Sequence, residues 1–135
     1  ASTKNTERDS NALNKRMFQF RVNSSGKLDF IPFFGATPDT DNIGTTNLRD
    51  GNWHHVAVTR DNSGIIRIYK DGVECGMGTD TDSITRSDID IGFRASTRQH
   101  PFKGVIDEIV IYKRALTSTE IKNYYEMGKT QRTEF

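Results

Sequence analysis

Two adjacent histidines, His54 and His55, are the first residues of this chain that could do chemistry. A metal site or a general base would need an imidazole nitrogen aimed at a shared point. Neighbours on an extended strand point to opposite faces, so the pair cannot grip one ion together. His100, beside Pro101, falls in a polar loop. Hydrolysis of glycosides would need two carboxyl groups facing each other across a cleft. Asp107 and Glu108 are consecutive and diverge on a strand, and Asp88 and Asp90 flank a turn-like segment. The acidic stretches Asp39-Thr40-Asp41-Asn42 and Asp80-Thr81-Asp82 carry oxygens without the ordered spacing of a helix-loop-helix calcium loop. The chemistry on offer is therefore binding rather than catalysis. The exposed loops supply the candidate contacts: Phe33 and Phe34 for stacking, and Arg94, Arg98, Gln99 and His100 as hydrogen-bond donors. Trp53 has the surface to stack on a sugar ring, but its place at the start of a core strand favours packing.

Short strands must position these groups. Phe18, Phe20 and Val22 alternate with polar residues, and Ser24-Ser25-Gly26 leads to a return strand with Leu28 and Phe30 on its inner face. Residues 35–51 read as a long loop with one weak strand around Ile43–Leu48. Residues 53–61, WHHVAVTRD, carry the clearest strand pattern, followed by a turn at Asp61-Asn62-Ser63-Gly64 and a strand from Ile65 to Tyr69. Asp71-Gly72 is a two-residue hairpin signal, because both positions of a type I′ turn need positive φ. A return strand follows over Val73–Met77, another over residues 88–93, and a long one over Phe102–Tyr112 with both faces largely apolar. Thr117-Ser118-Thr119-Glu120 is a capping box, with Leu116 and Ile121 placed as a hydrophobic staple. Gly128 is placed to end that helix.

The chain has 135 residues, one domain's worth, with 33% hydrophobic and 27% charged residues. That apolar share suits a sandwich with solvated outer faces better than a helical bundle. The formal net charge is +1, and no basic run tracks a phosphate backbone, which points away from nucleic acid. No apolar run approaches membrane-spanning length. Cys75 is the sole cysteine, so neither an intrachain disulfide nor a cysteine-cluster zinc site can form.

Four segments occur together in order: DGNWHHVAVTRD at 50–61, IRIYKDGV at 66–73, DIGFR at 90–94 and FKGVIDEIVIYKRALTSTEIKNYY at 102–125. In this order they resemble the laminin-G-like branch of the concanavalin A-like lectin/glucanase superfamily. The resemblance implies an all-β fold: a two-sheet antiparallel jelly-roll sandwich with one short C-terminal helix. Together with the residue pattern it divides the chain into a polar leader over 1–15 whose distal part can form a strand, a sandwich domain over 16–127 and a loose tail over 128–135. It implies a framework role for His54 and His55, and no Glu-x-Asp-x-x-Glu run of the glucanase type is present. It implies an extracellular or cell-surface setting and a non-catalytic module for carbohydrate or a cell-surface protein. A structural or oligomerising domain is the alternative, and a glycoside hydrolase the remote one. No cofactor is expected; calcium is the one candidate, with Asp107 as its metal ligand, and the competing role for Asp107 is a structural carboxylate that caps backbone amides. The family also runs the Phe102–Tyr112 strand beside an N-terminal strand. Family members usually have several dozen residues before the segment matching Met17, against a leader of about 15 here. The chain is then a fragment, a reduced sandwich, one whose missing edge comes from a homodimer or strand exchange, or one in which residues 8–15 serve as a shortened strand.

Overall fold

The computed structural model describes residues 18–31, 42–81, 91–92 and 101–132. Within them lie six strands and a helix: β1 (Gln19–Val22), β2 (Lys27–Ile31), β3 (Asn42–Asn47), β4 (Val56–Arg60), β5 (Ile65–Lys70), β6 (Val73–Thr79) and α1 (Ser118–Arg132). They form two antiparallel three-stranded sheets, ordered β1-β2-β3 and β4-β5-β6. The all-β sandwich with a C-terminal helix is thus as expected.

Period-two alternation decides which residues meet between the sheets. Phe20 pairs with Phe30 and Val22 with Leu28 across β1 and β2. On β5, Ile66 and Ile68 share a face and are fully buried. Leu28, Phe30, Ile66 and Ile68 form the core, with Phe20, Val22, Leu48, Val58 and Cys75 packed against it. Each fully buried aliphatic or aromatic side chain stabilises the fold by roughly 1.5–3 kcal/mol. Phe18 closes the rim by stacking on Phe30, with ring centroids 5.5 Å apart.

The two sheets use one turn design. In Asn23-Ser24-Ser25-Gly26, the Asn23 carboxamide oxygen accepts the amides of Ser25 and Lys27. In Asp61-Asn62-Ser63-Gly64, Asp61 Oδ1 accepts those of Ser63 and Ile65. An Asx side chain that folds back on the next few amides stabilises a tight turn. Both glycines have positive φ, and each carbonyl receives an amide from beyond its neighbouring strand, Leu48 onto Gly26 and Asp80 onto Gly64. A Cβ on Gly64 would lie 2.4 Å from the Asp80 carbonyl oxygen. Behind the first turn, buried Asp29 accepts hydrogen bonds from Asn23 Nδ2 at 2.9 Å and Arg21 Nε at 3.3 Å. A carboxylate on the non-core face of β2 is thereby paired.

The Asp71-Gly72 hairpin forms as expected, with φ of 51° and 78°. The helix starts on its capping box: Thr117 Oγ1 accepts the Glu120 amide at 3.2 Å, and Glu120 Oε1 accepts the Thr117 amide at 3.4 Å. Arg114 clamps the same Glu120 carboxylate through both Nη1 and Nη2. Ile121 is buried as the staple requires.

Three expectations are corrected. The helix does not stop at Gly128 but runs to Arg132. A glycine inside a helix costs only about 1 kcal/mol, and the residues after it are mostly good helix formers. Phe102–Tyr112 is not a strand: among the described residues it joins no ladder, and every residue in it is exposed. Strand structure needs a partner for its hydrogen bonds, and alternation alone does not supply one. Trp53 is not core, as described below. Of the segment expected as a strand over 88–93, Ile91 and Gly92 alone are described, and neither is in a strand.

Candidate functional site

The densest polar constellation lies at one end of the β4-β5-β6 sheet. Three stretches converge there: the run-in to β4 (Asp50–His55), the β5–β6 turn (Asp71-Gly72) and the first turns of α1. Gly72 permits the close approach. A Cβ there would lie 3.2 Å from both Lys122 Cα and Tyr125 Cδ1.

His54 is the wedge. Its Nδ1 lies 2.8 Å from Asp71 Oδ2 and its Nε2 lies 2.8 Å from Asp50 Oδ1. A neutral imidazole has one N–H and one lone pair, so it can donate to only one of two carboxylates. Only the protonated ring donates to both. Burial pulls the His54 pKa down, but the hydrogen bonds it donates to Asp71 and Asp50 outweigh it, and the net displacement is upward from 6.5. Asp50 moves the other way, to about 2, because the Asn52 amide and His54 both donate to it.

His55 is the opposite case. Its amide donates to Asp71 Oδ1 at 3.0 Å, and its ring faces Tyr125 with centroids 6.3 Å apart. Its Nδ1 is buried with no hydrogen-bond partner among the described residues. Burial therefore pushes its pKa below 6.5, against a weaker upward pull from Asp71. The two histidines do diverge, and both serve the frame.

Trp53 stands immediately before this pair and is 52% exposed. It follows the tight turn of Asp50–Asn52, where the Asn52 amide donates to Asp50 Oδ1 at 2.9 Å, and precedes β4, which begins at Val56. Val56, Lys70 and Val73 are register partners across the same end of the sheet, and both valines are exposed. The site therefore offers a half-exposed indole next in sequence to an acidic, hydrogen-bonded rim.

The polar groups of the site bond chiefly to one another. Both His54 nitrogens are engaged by carboxylates, so the ring has no nitrogen to present to a substrate as general base. Cys75 is half-buried and its thiol pKa is raised by that burial. No group of three or more His, Cys, Asp or Glu side chains is arranged for a metal among the described residues. A separate recess of about 290 Å³ lies under Leu116, lined by Thr59, Arg67, Tyr69 and Glu74. Arg67 lies between Asp61 at 3.6 Å and Glu74 at 3.8 Å, so its charge is already met.

Of the residues expected to bind ligand, Phe33, Phe34, Arg94, Arg98, Gln99 and His100 lie outside the described residues. Asp107 is exposed, and its Oδ1 accepts the Glu108 amide at 2.9 Å. Sequence reasoning missed Asp50, Asp71 and the exposure of Trp53. The signal for Asp50 was the four-residue spacing to His54. Asp71 was read as a turn former, and its carboxylate was left unused.

Two three-stranded sheets around an aliphatic-aromatic core, with a helix at one end, define a lectin-like β-sandwich. The chain belongs to the concanavalin A-like lectin/glucanase superfamily, with the laminin-G-type model of that superfamily matching residues 2–122. It is also similar to the crystal structure of an S-layer domain-containing protein from Clostridium thermocellum, at 25% identity and a TM-score of 0.52. That match covers 87% of this chain, which spans 59% of the other. No curated protein matches the sequence. No helix among the described residues is long and apolar enough to cross a membrane.

Proposed function

We propose that this domain is a non-catalytic binding module for an extracellular or cell-surface carbohydrate, with Trp53 as its stacking platform. The half-open indole carries the reading. An apolar ring face beside polar groups matches a sugar, which has C–H faces and hydroxyl edges. The frame behind the ring is held by His54 between Asp50 and Asp71, so the platform is set before ligand arrives. The lectin-like family and the similarity to a protein with an S-layer domain support a cell-surface setting. The family match also supports jelly-roll connectivity for the complete sandwich. Fold alone does not assign a ligand.

Trp53 is the sole tryptophan, so intrinsic fluorescence reads this site directly. A glycan array run with and without calcium names the ligand class and tests whether binding depends on the ion, and the same array with Asp107→Asn tests Asp107 as its ligand. Fluorescence titration with any hit then shows whether Trp53 is the contact. Saturable quenching is expected. Binding to no glycan in either condition moves the ligand to a cell-surface protein.

A second reading, an oligomerising domain, is favoured by one observation. Phe102, Val105, Ile106, Ile109, Val110 and Ile111 are all exposed large apolar residues on one short stretch.

A further inference from the structure

We propose that His54 is a proton-operated latch at the end of the β4-β5-β6 sheet. Charged, it holds Asp50 and Asp71 together. Neutral, it keeps Asp71 and lets go of Asp50, and the Asp50–Asn52 turn loosens on the backbone that leads into Trp53. The latch is independent of any ligand; its consequence for a sugar rests on the carbohydrate reading of Trp53.

The geometry demands a proton. Each ring nitrogen of His54 stands 2.8 Å from a carboxylate oxygen. A neutral imidazole has one nitrogen with a lone pair and no hydrogen, and that lone pair would face an anionic oxygen. One contact must then give way, and the surroundings decide which. Asp71 is tied twice more to the sheet: its amide donates to the His55 carbonyl at 2.8 Å, and its Oδ1 accepts the His55 amide at 3.0 Å. Asp50 is otherwise bonded within its own turn, to the Asn52 amide. The Asp50 side chain is also the more exposed, 45% against 28% for Asp71, so water replaces the imidazole there at less cost.

The turn has room to move. Upstream, the Arg49 guanidinium fixes the chain by donating to the carbonyls of Ser24 and Asn23 on the β1–β2 turn. Downstream, His55 is fixed through Asp71. Between these anchors Gly51 has φ of 78°, and no atom beyond its chain neighbours lies within 4 Å of where a Cβ would stand. His54 is the tie that closes this span onto the β5–β6 turn.

The charges around the ring set the sign. Asp71 on that turn and Asp50 on the run-in favour the imidazolium, and Lys70 at the end of β5 opposes it. Lys70 is drawn toward β3, where its Nζ donates to the Asn47 carbonyl at 3.2 Å. From α1, Lys122 and Tyr125 lie against Gly72, and Lys129 stands over the Tyr125 ring that His55 faces. The carboxylates prevail. The latch is therefore closed below 6.5 and opens as pH climbs through the raised folded value.

The test uses the full, ligand-free chain and NMR on both sides of the His54 midpoint, which its own ring resonances supply. Below the midpoint the Gly51 and Asn52 amides should have order parameters of about 0.85. Above it these should fall to about 0.6 or less, while the His55 and Asp71 amides stay rigid. The neutral ring should carry its proton on Nδ1. Asp50→Ala should leave the turn loose at both pH values and lower the His54 midpoint. His54→Gln removes the titrating ring and should remove the step. Amides that stay rigid above the midpoint overturn the latch. So does a neutral ring protonated on Nε2, or a step that survives either variant. No glycan enters these readouts, so the latch and the carbohydrate reading fail separately.

Discussion

Asp71 and His55 exchange two hydrogen bonds. The Asp71 amide donates to the His55 carbonyl at 2.8 Å, and the His55 amide donates to Asp71 Oδ1 at 3.0 Å. The regular β4–β5 ladder ends one step earlier, at Val56 and Lys70. Asp71 is in the left-handed turn conformation, so its side-chain carboxylate serves where a ladder carbonyl would. The other carboxylate oxygen is then left to hold His54, and the turn and the Trp53 platform become one unit.

The two histidines should titrate on opposite sides of 6.5. The folded-state pKa of His54 is raised, so its contribution to stability is full below 6.5 and is lost as pH rises through the folded value. For His55 the folded pKa is lowered. Its contribution is present above 6.5 and is lost as pH falls through the folded value. NMR titration of the imidazole resonances checks both directions. Asp71→Asn should bring the His54 pKa down, and an unmoved His54 would remove Asp71 as the cause.

Trp53→Ala should separate binding from folding. An exposed side chain away from special backbone geometry changes stability by about 0.5 kcal/mol or less. Calorimetric titration with an array hit should show at least a tenfold loss of affinity. A large fall in melting temperature would instead mark Trp53 as structural.

Gly72→Ala should be costly for two reasons. The left-handed backbone costs a non-glycine residue roughly 1–2 kcal/mol. The new methyl would also press on Lys122 and Tyr125 of α1, at 3.2 Å from each. Denaturant unfolding should show a loss of about 2 kcal/mol or more. Near-wild-type stability would mean that the helix does not dock there.

Core and cap should differ in size of effect. Ile68→Ala empties a fully buried position between the sheets and should cost about 2–5 kcal/mol. Thr117→Ala removes one cap of a helix end and should cost about 1 kcal/mol. Equal losses in denaturant melts would show that the helix cap contributes as much as the core.

Much of the frame was legible because its signals are local. Alternation placed Phe20, Val22, Leu28 and Phe30 on inner faces, Asp71-Gly72 marked its hairpin, and Thr117 with Glu120 marked the helix start. The helix end was less legible, since one glycine at position 128 is a weak stop against favourable neighbours. Residues 102–112 carry a strand pattern, but a pattern is half of a strand, and its partner is a matter of tertiary or quaternary pairing.

The candidate site was mostly hidden. Asp50, His54 and Asp71 are brought together by the β4–β5 ladder and the turn beyond it, across 17 positions between His54 and Asp71. Trp53 precedes an apolar strand, which marks core in the sequence, yet the folded chain leaves it half-exposed. By itself the sequence determined the all-β class, the family, the turns and the helix cap. The turns and the cap rest on residues within a few positions of one another, and the family on four short segments in a fixed order. The tertiary structure alone decided which histidine is wedged between carboxylates, which is buried, and that the tryptophan is half-exposed. Charge pairing and exposure depend on neighbours that only folding supplies.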